Sequence, residues 1–139
     1  MIDERIWNIM QKRLGYSDEE QKLFRNSLRN EQVLSKASEL SRTLFIIEVI
    51  DAHGCNSKNK KGDKIYLDGY GNLLKEKNPE KLCIFMVGQT QSLIFAAQEL
   101  IYAGIDPNEI KFNVVGCGDV GLKCGGWGKV TMKFSALKQ

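Results

Sequence analysis

The stretch richest in chemically useful residues runs from residue 116 to residue 128 and reads Gly-Cys-Gly-Asp-Val-Gly-Leu-Lys-Cys-Gly-Gly-Trp-Gly. It offers Cys117 and Cys124 as soft ligands or nucleophiles, and Trp127 as a flat apolar surface. Its six glycines leave the backbone free to adopt positive φ. A plain connector between two strands has about two to five residues and needs none of these side chains. The stretch therefore predicts a site, although it does not specify a reaction.

A second group of reactive residues follows the strand predicted from residue 43. His53 and Cys55 are two positions apart, so extended geometry would place both on one face. If this strand neighbours the one that precedes residue 116, four potential metal ligands converge at one end of the sheet, namely His53, Cys55, Cys117 and Cys124. This set would be enough for a tetrahedral zinc or an iron-sulfur site. There is no Cys-x-x-Cys pair, so the convergence depends on the topology and not on a motif.

Each of these residues also has a purely structural interpretation. Cysteine is among the most buried residue types, and Cys83, next to an apolar run, is assigned to the core on that basis. The other three cysteines each adjoin a glycine, which favours a pocket. His53, Cys55 and Asp119 are the candidate catalytic residues. His53 could equally be a hydrogen-bonded structural residue, and Asp119 could be a turn residue that accepts backbone amides.

The glycines of the stretch match part of a dinucleotide-binding pattern. Gly116-x-Gly118-x-x-Gly121 follows a predicted strand, as that pattern requires. However, the residues after Gly121 predict no helix that could receive a pyrophosphate, so we do not expect nucleotide binding. Gly116 and Gly118, with Trp127 as a pocket floor, remain candidate positions for binding another cofactor, and zinc or an iron-sulfur cluster is the candidate that the cysteines suggest.

Composition narrows the class of protein. The chain has 139 residues, 42% of them apolar, and a formal net charge of +3, which suits a soluble domain with one ordinary core. The one dense basic patch, at residues 58–64, is typical of a solvated turn, so we expect neither a nucleic-acid partner nor a membrane partner. The charged start of the chain does not resemble an export signal and predicts a cytoplasmic protein with reduced thiols.

Hydrophobic periodicity predicts which elements position these residues. We expect three helices in the first 41 residues: one over residues 3–14, a second that a capping box at Ser17 and Glu20 opens and that runs to about residue 29, and a third over about residues 31–40. A long helix capped by Thr90, after an interruption at Gly88, should cover residues 91–103. Strands are predicted at residues 43–50, 64–67, 111–115 and 129–135.

These elements predict an α+β fold with a helical appendage, residues 1–41, and an α+β domain, residues 42–139. In the domain a mostly antiparallel sheet of four or five strands packs on one main helix. A single helix covers only one face of the sheet. Residues 1–41 or a second subunit should cover the other face, and we therefore expect a homo-oligomer.

Several short motifs, taken together, resemble a family of small uncharacterised proteins found mainly in anaerobic bacteria and archaea. They are His53-Gly54-Cys55-Asn56-Ser57, Lys61-Gly62-Asp63-Lys64, Asp68-Gly69-Tyr70-Gly71-Asn72-Leu73-Leu74 and the ending Cys124-Gly125-Gly126-Trp127-Gly128. The resemblance covers roughly residues 44 to 135. It implies a compact α+β domain and, from the anaerobic setting, oxygen-sensitive thiol or iron-sulfur chemistry, but no established reaction. Residues 58–60 replace the Gly-His or Gln-His pair expected in such proteins, so a second histidine ligand is not supplied.

Two classes of function remain open at this stage. In the first, Cys55, Cys117 and Cys124 line a pocket with His53, and exposed loop amides with nearby Lys123 favour thiolates, which bind metal or attack an electrophile. In the second, the protein is a non-catalytic accessory or binding subunit of a larger enzyme, and the glycine-rich stretch with Trp127 contacts the partner. Whether the protein is an enzyme is not decided by the sequence.

Overall fold

The computed structural model describes residues 1–139, which form two compact units, Met1–Ser38 and Glu39–Gln139. The boundary between the units lies slightly before the division at residues 41 and 42 that the sequence predicts. No helix has the length and apolar character needed to cross a membrane.

Helices α1 (Glu4–Leu14), α2 (Asp18–Arg25) and α3 (Leu28–Ser35) make up most of the first unit. The predicted capping box opens α2: the Ser17 side chain accepts from the amide of Glu20, and the Glu20 carboxylate accepts from the amide of Ser17. Within the unit, the ring of Trp7 meets that of Phe24 edge-on, with 5.6 Å between centroids.

The second predicted helix is shorter than expected, and the third is divided. Helix α2 ends at Arg25 and not near residue 29, because Ser27 caps a new helix by accepting from the amide of Asn30. The segment predicted as residues 31–40 divides at Lys36 into α3 and the short helix α4 (Ala37–Ser41).

The second unit is built on a four-stranded antiparallel sheet, which confirms the predicted α+β class. The strands are β1 (Thr43–His53), β2 (Lys64–Asp68), β3 (Val114–Gly116) and β4 (Lys129–Lys138), in the order β2-β1-β4-β3. Alternate residues of the two central strands are buried, as a sheet with one core face requires; these are Phe45, Ile47 and Val49 in β1 and Val130, Met132 and Phe134 in β4.

Helix α5 (Ile84–Tyr102) is the main helix of this unit, and it begins about two turns earlier than predicted. Gly88 lies inside the helix, since one interior glycine costs only about 1 kcal/mol and Met86 before it is buried in the core. Thr90 is not a cap; its hydroxyl donates to the carbonyl of Val87 within the helix. The residue that precedes the helix is therefore Cys83.

Candidate functional site

A cavity of about 310 Å³ lies where the segment after β1, the start of α5 and the glycine-rich loop (residues 116–128) meet. This volume is at the lower end of the range for small-molecule sites. Three thiols face it together with polar, charged and apolar groups; the lining residues are Cys55, Asn56, Ser57, Cys83, Phe85, Met86, Cys117, Asp119, Trp127, Gly128, Lys129 and Val130.

The end of β1 separates Cys55 from His53. The register against β4 shifts between Val49 and Asp51, which is the mark of a β-bulge, and after it Ala52 packs against the core while His53 is exposed. Gly54 then has φ +66°, so the extended conformation ends there. Cys55 consequently packs against the core, and His53 is not among the residues that line the cavity.

Cys55 opens a tight turn, residues 55–59, that places a hydrogen-bond donor at its own sulfur. The carbonyl of Cys55 accepts from the amide of Lys58 at 3.0 Å, and Lys58 has φ +60°. The side-chain amide of Asn59 donates to Cys55 Sγ at 3.5 Å. Successive amides in such a turn form a concave nest that binds anions.

The turn lowers the pKa of the Cys55 thiol. Burial alone would raise this pKa, but hydrogen bonds from the side chain and amide of Asn59 and from the amides of Ser57 and Lys58 outweigh the effect of burial. The pKa of Cys55 therefore lies below its ordinary value. Because the thiolate is the nucleophilic form of cysteine, the turn favours reactivity at this sulfur.

Asp119 holds the glycine-rich loop together. Its carboxylate accepts from the amides of Gly121 at 2.9 Å, Trp127 at 3.1 Å and Gly128 at 3.1 Å. The amide of Gly121, those of Gly128 and Trp127 and the charge of Lys129 lower the pKa of Asp119, although burial acts in the opposite direction. Asp119 is thus an ionised turn residue whose oxygens are occupied by the loop that carries Trp127.

Cys117 is committed to the sheet on the other side of the cavity. It is 9% exposed, and its Sγ accepts from the amide of Val130 at 3.3 Å. The ammonium group of Lys129 donates to the carbonyls of Cys117 at 3.1 Å and Asp119 at 3.0 Å, which fixes a positive charge at the cavity wall. Cys117 is therefore held more firmly than the other two thiols of the cavity.

Cys83 is the site residue that the sequence did not identify. It is half-buried, lines the cavity and precedes the first residue of α5, but its side chain makes no capping hydrogen bond. The apolar run from Ile84 predicts a core position, and Cys83 does pack against the core, but it lines the cavity as well. A prediction that allowed Gly88 inside the helix would have put Cys83 at a helix start, where chemically active thiols are common.

The two aromatic side chains of the cavity give it apolar walls that reach solvent. Trp127 is 71% exposed and Phe85 is 64% exposed, and both line the cavity. The amide of Gly118 donates to the carbonyl of Phe85 at 3.0 Å, which links the glycine-rich loop to the start of α5. A molecule in the cavity would therefore contact ring surface as well as thiols.

Of the residues predicted for the site, the structure brings Cys55, Cys117, Asp119 and Trp127 to one cavity. Cys124 is exposed and does not line the cavity. Gly116 and Gly118, the two glycines predicted to bind a cofactor, do not line it either.

A metal site is not assembled by these residues. No three His, Cys, Asp or Glu side chains are grouped so that they could hold a metal ion. Zinc and iron-sulfur sites need three or four protein ligands close together, and the structure does not bring His53, Cys55, Cys117 and Cys124 into such a group.

Comparison with protein-family models, with curated proteins and with solved structures gave no match to this chain.

Proposed function

We propose that this protein acts through the thiolate of Cys55 on a small electrophile that binds in the cavity. The sulfur of Cys55 forms a bond to the electrophilic atom, and the leaving group departs with the electron pair of the bond that breaks. The observation that carries the proposal is the turn at residues 55–59, which places the Asn59 side-chain amide 3.5 Å from the Cys55 sulfur at the edge of the cavity and lowers the pKa of this thiol.

The contrast between thiols supports this assignment. Cys117 also accepts a hydrogen bond at its sulfur but is buried, whereas Cys55 is more accessible, faces the cavity and has a lowered pKa. The lining suits a small substrate with an apolar part, which would lie against Phe85 and Trp127. The chemistry needs reduced thiols, and the cytoplasm is the compartment that we propose for it.

Limited alkylation tests the proposal by ranking the four cysteines. The anaerobically purified protein is treated with a small amount of iodoacetamide at about pH 6, where ordinary thiols are almost fully protonated, and the labelled peptides are quantified by mass spectrometry. Exposure alone predicts that Cys124 reacts first, since it is the exposed cysteine. The proposal predicts that Cys55 reacts first, and faster labelling of Cys124 would overturn it.

Two controls accompany the alkylation experiment. In the Cys55→Ser variant the fast-labelled site should disappear while the labelling of Cys124 stays unchanged. Elemental analysis of the same anaerobic preparation tests the metal function predicted from the sequence. Stoichiometric zinc or iron bound through the thiols would contradict a function based on the free thiolate.

A second candidate is the accessory or binding subunit, and the glycine-rich loop favours it. Three large apolar side chains of this loop are exposed, namely Val120, Leu122 and Trp127, and exposed aromatic residues are enriched in protein interfaces. A larger enzyme should then co-purify with the native protein and be lost from Leu122→Ser and Trp127→Ser variants that keep a reactive Cys55. Turnover of a small molecule by the isolated protein would argue against this candidate.

We also propose a homo-oligomer, because α5 packs on one face of the sheet and a second copy is one way to cover the other. Light scattering at micromolar concentration measures the mass directly. The mass of a single chain would contradict the proposal.

A further inference from the structure

We infer that Cys83 is the partner thiol of Cys55, and that the two together reduce a small disulfide bound in the cavity. The inference rests on the proposed function, since it needs Cys55 as the first nucleophile. It adds a substrate class, small disulfides, and it gives Cys83 a role. A reaction of Cys55 alone with an electrophile would not need this second thiol.

The position of Cys83 supports the pairing. Both thiols line the cavity of about 310 Å³. A second cavity of about 370 Å³ is lined by Cys83 and by Ser57, Lys58 and Asn59, which form most of the Cys55 turn. Cys83 therefore lines two cavities, and residues of the Cys55 turn line both of them as well.

The other two cysteines are less suited to the role. The sulfur of Cys117 is buried and accepts a hydrogen bond from the amide of Val130, so its movement would disturb the pairing of β4. Cys124 is exposed and does not line the cavity. Cys83 makes no capping hydrogen bond through its side chain and lies just before α5, so its sulfur can turn without breaking a strand or a helix.

The reaction proceeds in two exchanges. The Cys55 thiolate attacks one sulfur of the substrate R–S–S–R′, forms Cys55–S–S–R and releases R′–S⁻, which takes a proton from solvent. Cys83 then loses its proton, attacks the Cys55 sulfur, forms the Cys55–Cys83 disulfide and releases R–S⁻. The substrate gains two electrons and the cysteine pair loses two; exchange with a second dithiol then restores the reduced pair.

The apolar walls point to the kind of disulfide. Phe85 and Trp127 flank the thiols with ring surface, and Lys129 is the one cation among the lining residues. A small disulfide with a flat aromatic arm fits this lining, and 4,4′-dithiodipyridine is a probe of that shape whose thiopyridone product absorbs light.

The test uses proteins that all carry Cys124→Ser, which removes the exposed thiol outside the cavity. One equivalent of 4,4′-dithiodipyridine should release two equivalents of thiopyridone, and the protein should lose the mass of two hydrogen atoms. With Cys83→Ser added, one equivalent should be released and the probe should stay attached at Cys55. With Cys117→Ser added instead, both equivalents should still appear.

Peptide mapping of the oxidised protein with intact Cys83 and Cys117 identifies the bonded pair without relying on the Cys83→Ser or Cys117→Ser variant. A Cys55–Cys117 disulfide, or a stable mixed disulfide at Cys55 when Cys83 is present, would overturn the inference and leave the proposed function standing. First attachment of the probe at a cysteine other than Cys55 would overturn both.

Discussion

Gly54 and Gly128 lie so close together that neither can carry a side chain. A Cβ on Gly128 would come within 2.3 Å of the carbonyl oxygen of Gly54 and 2.7 Å of the amide nitrogen of Cys55. A Cβ on Gly54 would lie 2.8 Å from the carbonyl oxygen of Trp127, at a φ of +66° that side chains rarely adopt. This contact joins the Cys55 turn to the end of the glycine-rich loop, and so fixes the thiol relative to the aromatic wall.

The Gly128→Ala variant should therefore be both less stable and less reactive at Cys55. Overlap of this kind typically costs about 1–3 kcal/mol, which urea unfolding would measure as a lower midpoint. Gly88→Ala is the matched control, because a Cβ there has no atom within 4 Å and the residue lies inside a helix. It should stabilise the protein by up to about 1 kcal/mol, and equal destabilisation by both variants would contradict the role of the contact.

The hydrogen bond from Asn59 should set the pH at which Cys55 becomes reactive. In Asn59→Ala the donor to Sγ is lost, so the pKa of Cys55 should rise and the rate of alkylation should reach half its maximum at a higher pH. Asn56→Ala is the control, since Asn56 lines the same cavity but is not among the donors to the sulfur. A pH profile unchanged in Asn59→Ala would show that this side chain does not activate the thiol.

The same pKa shift predicts a pH-dependent stability. The unfolded chain holds the Cys55 proton to higher pH than the folded chain, so the thiolate stabilises the fold fully above the unfolded pKa. This stabilisation is lost as the pH falls through the folded pKa. The free energy of unfolding of the wild type, relative to Cys55→Ser, should increase with pH between these two values and level off above them, and a difference that does not rise as the pH approaches the unfolded pKa from below would contradict the lowered pKa.

Local signals in the sequence predicted much of the fold. The Ser17 and Glu20 pair and the strand-forming runs at residues 43–50 and 129–135 act over a few residues, and each appears as expected. The same locality explains the error at Gly88. A single glycine marks a break only when packing does not compensate, and the burial of Met86 and Leu93 on either side keeps the helix continuous.

The site was harder to predict because it depends on two backbone details that side-chain patterns do not encode. The bulge near Ile50 and the left-handed Gly54 decide that Cys55 turns inward while His53 stays exposed. Extended geometry through this segment would have kept them together. Cys83 comes directly before α5, which begins at Ile84. Because the sequence predicted a later start for this helix, it did not indicate that Cys83 belongs to the site.

Loss of the Asp119 carboxylate should open the glycine-rich loop. In Asp119→Ala three amides lose their acceptor, so hydrogen exchange at Gly121, Trp127 and Gly128 should become faster than in the wild type. The pKa of Asp119 is lower in the folded chain than in the unfolded chain. Its carboxylate therefore stabilises the fold fully above the pKa of the unfolded chain, and this stabilisation is lost as the pH falls through the pKa of the folded chain.

Acid titration should therefore open the wild-type loop in the same way. The fluorescence of Trp127, recorded in a Trp7→Phe background so that it is the one tryptophan left, would report the transition. Asp119→Ala should lack this acid transition. Slow exchange of the three amides in Asp119→Ala would show that the loop is held by something other than this carboxylate.

The ring of Trp127 should determine how well the cavity accepts an aromatic substrate. If the ring packs on the bound molecule, Trp127→Ala should slow the reaction of Cys55 with 4,4′-dithiodipyridine about fivefold, as expected for about 1 kcal/mol of ring contact. Its reaction with iodoacetamide, which has no ring, should be nearly unchanged. Phe112→Ala is the control, because Phe112 is 92% exposed and does not line the cavity. Equal slowing of both reagents by Trp127→Ala would mean that the tryptophan acts on the thiolate itself and not on the substrate.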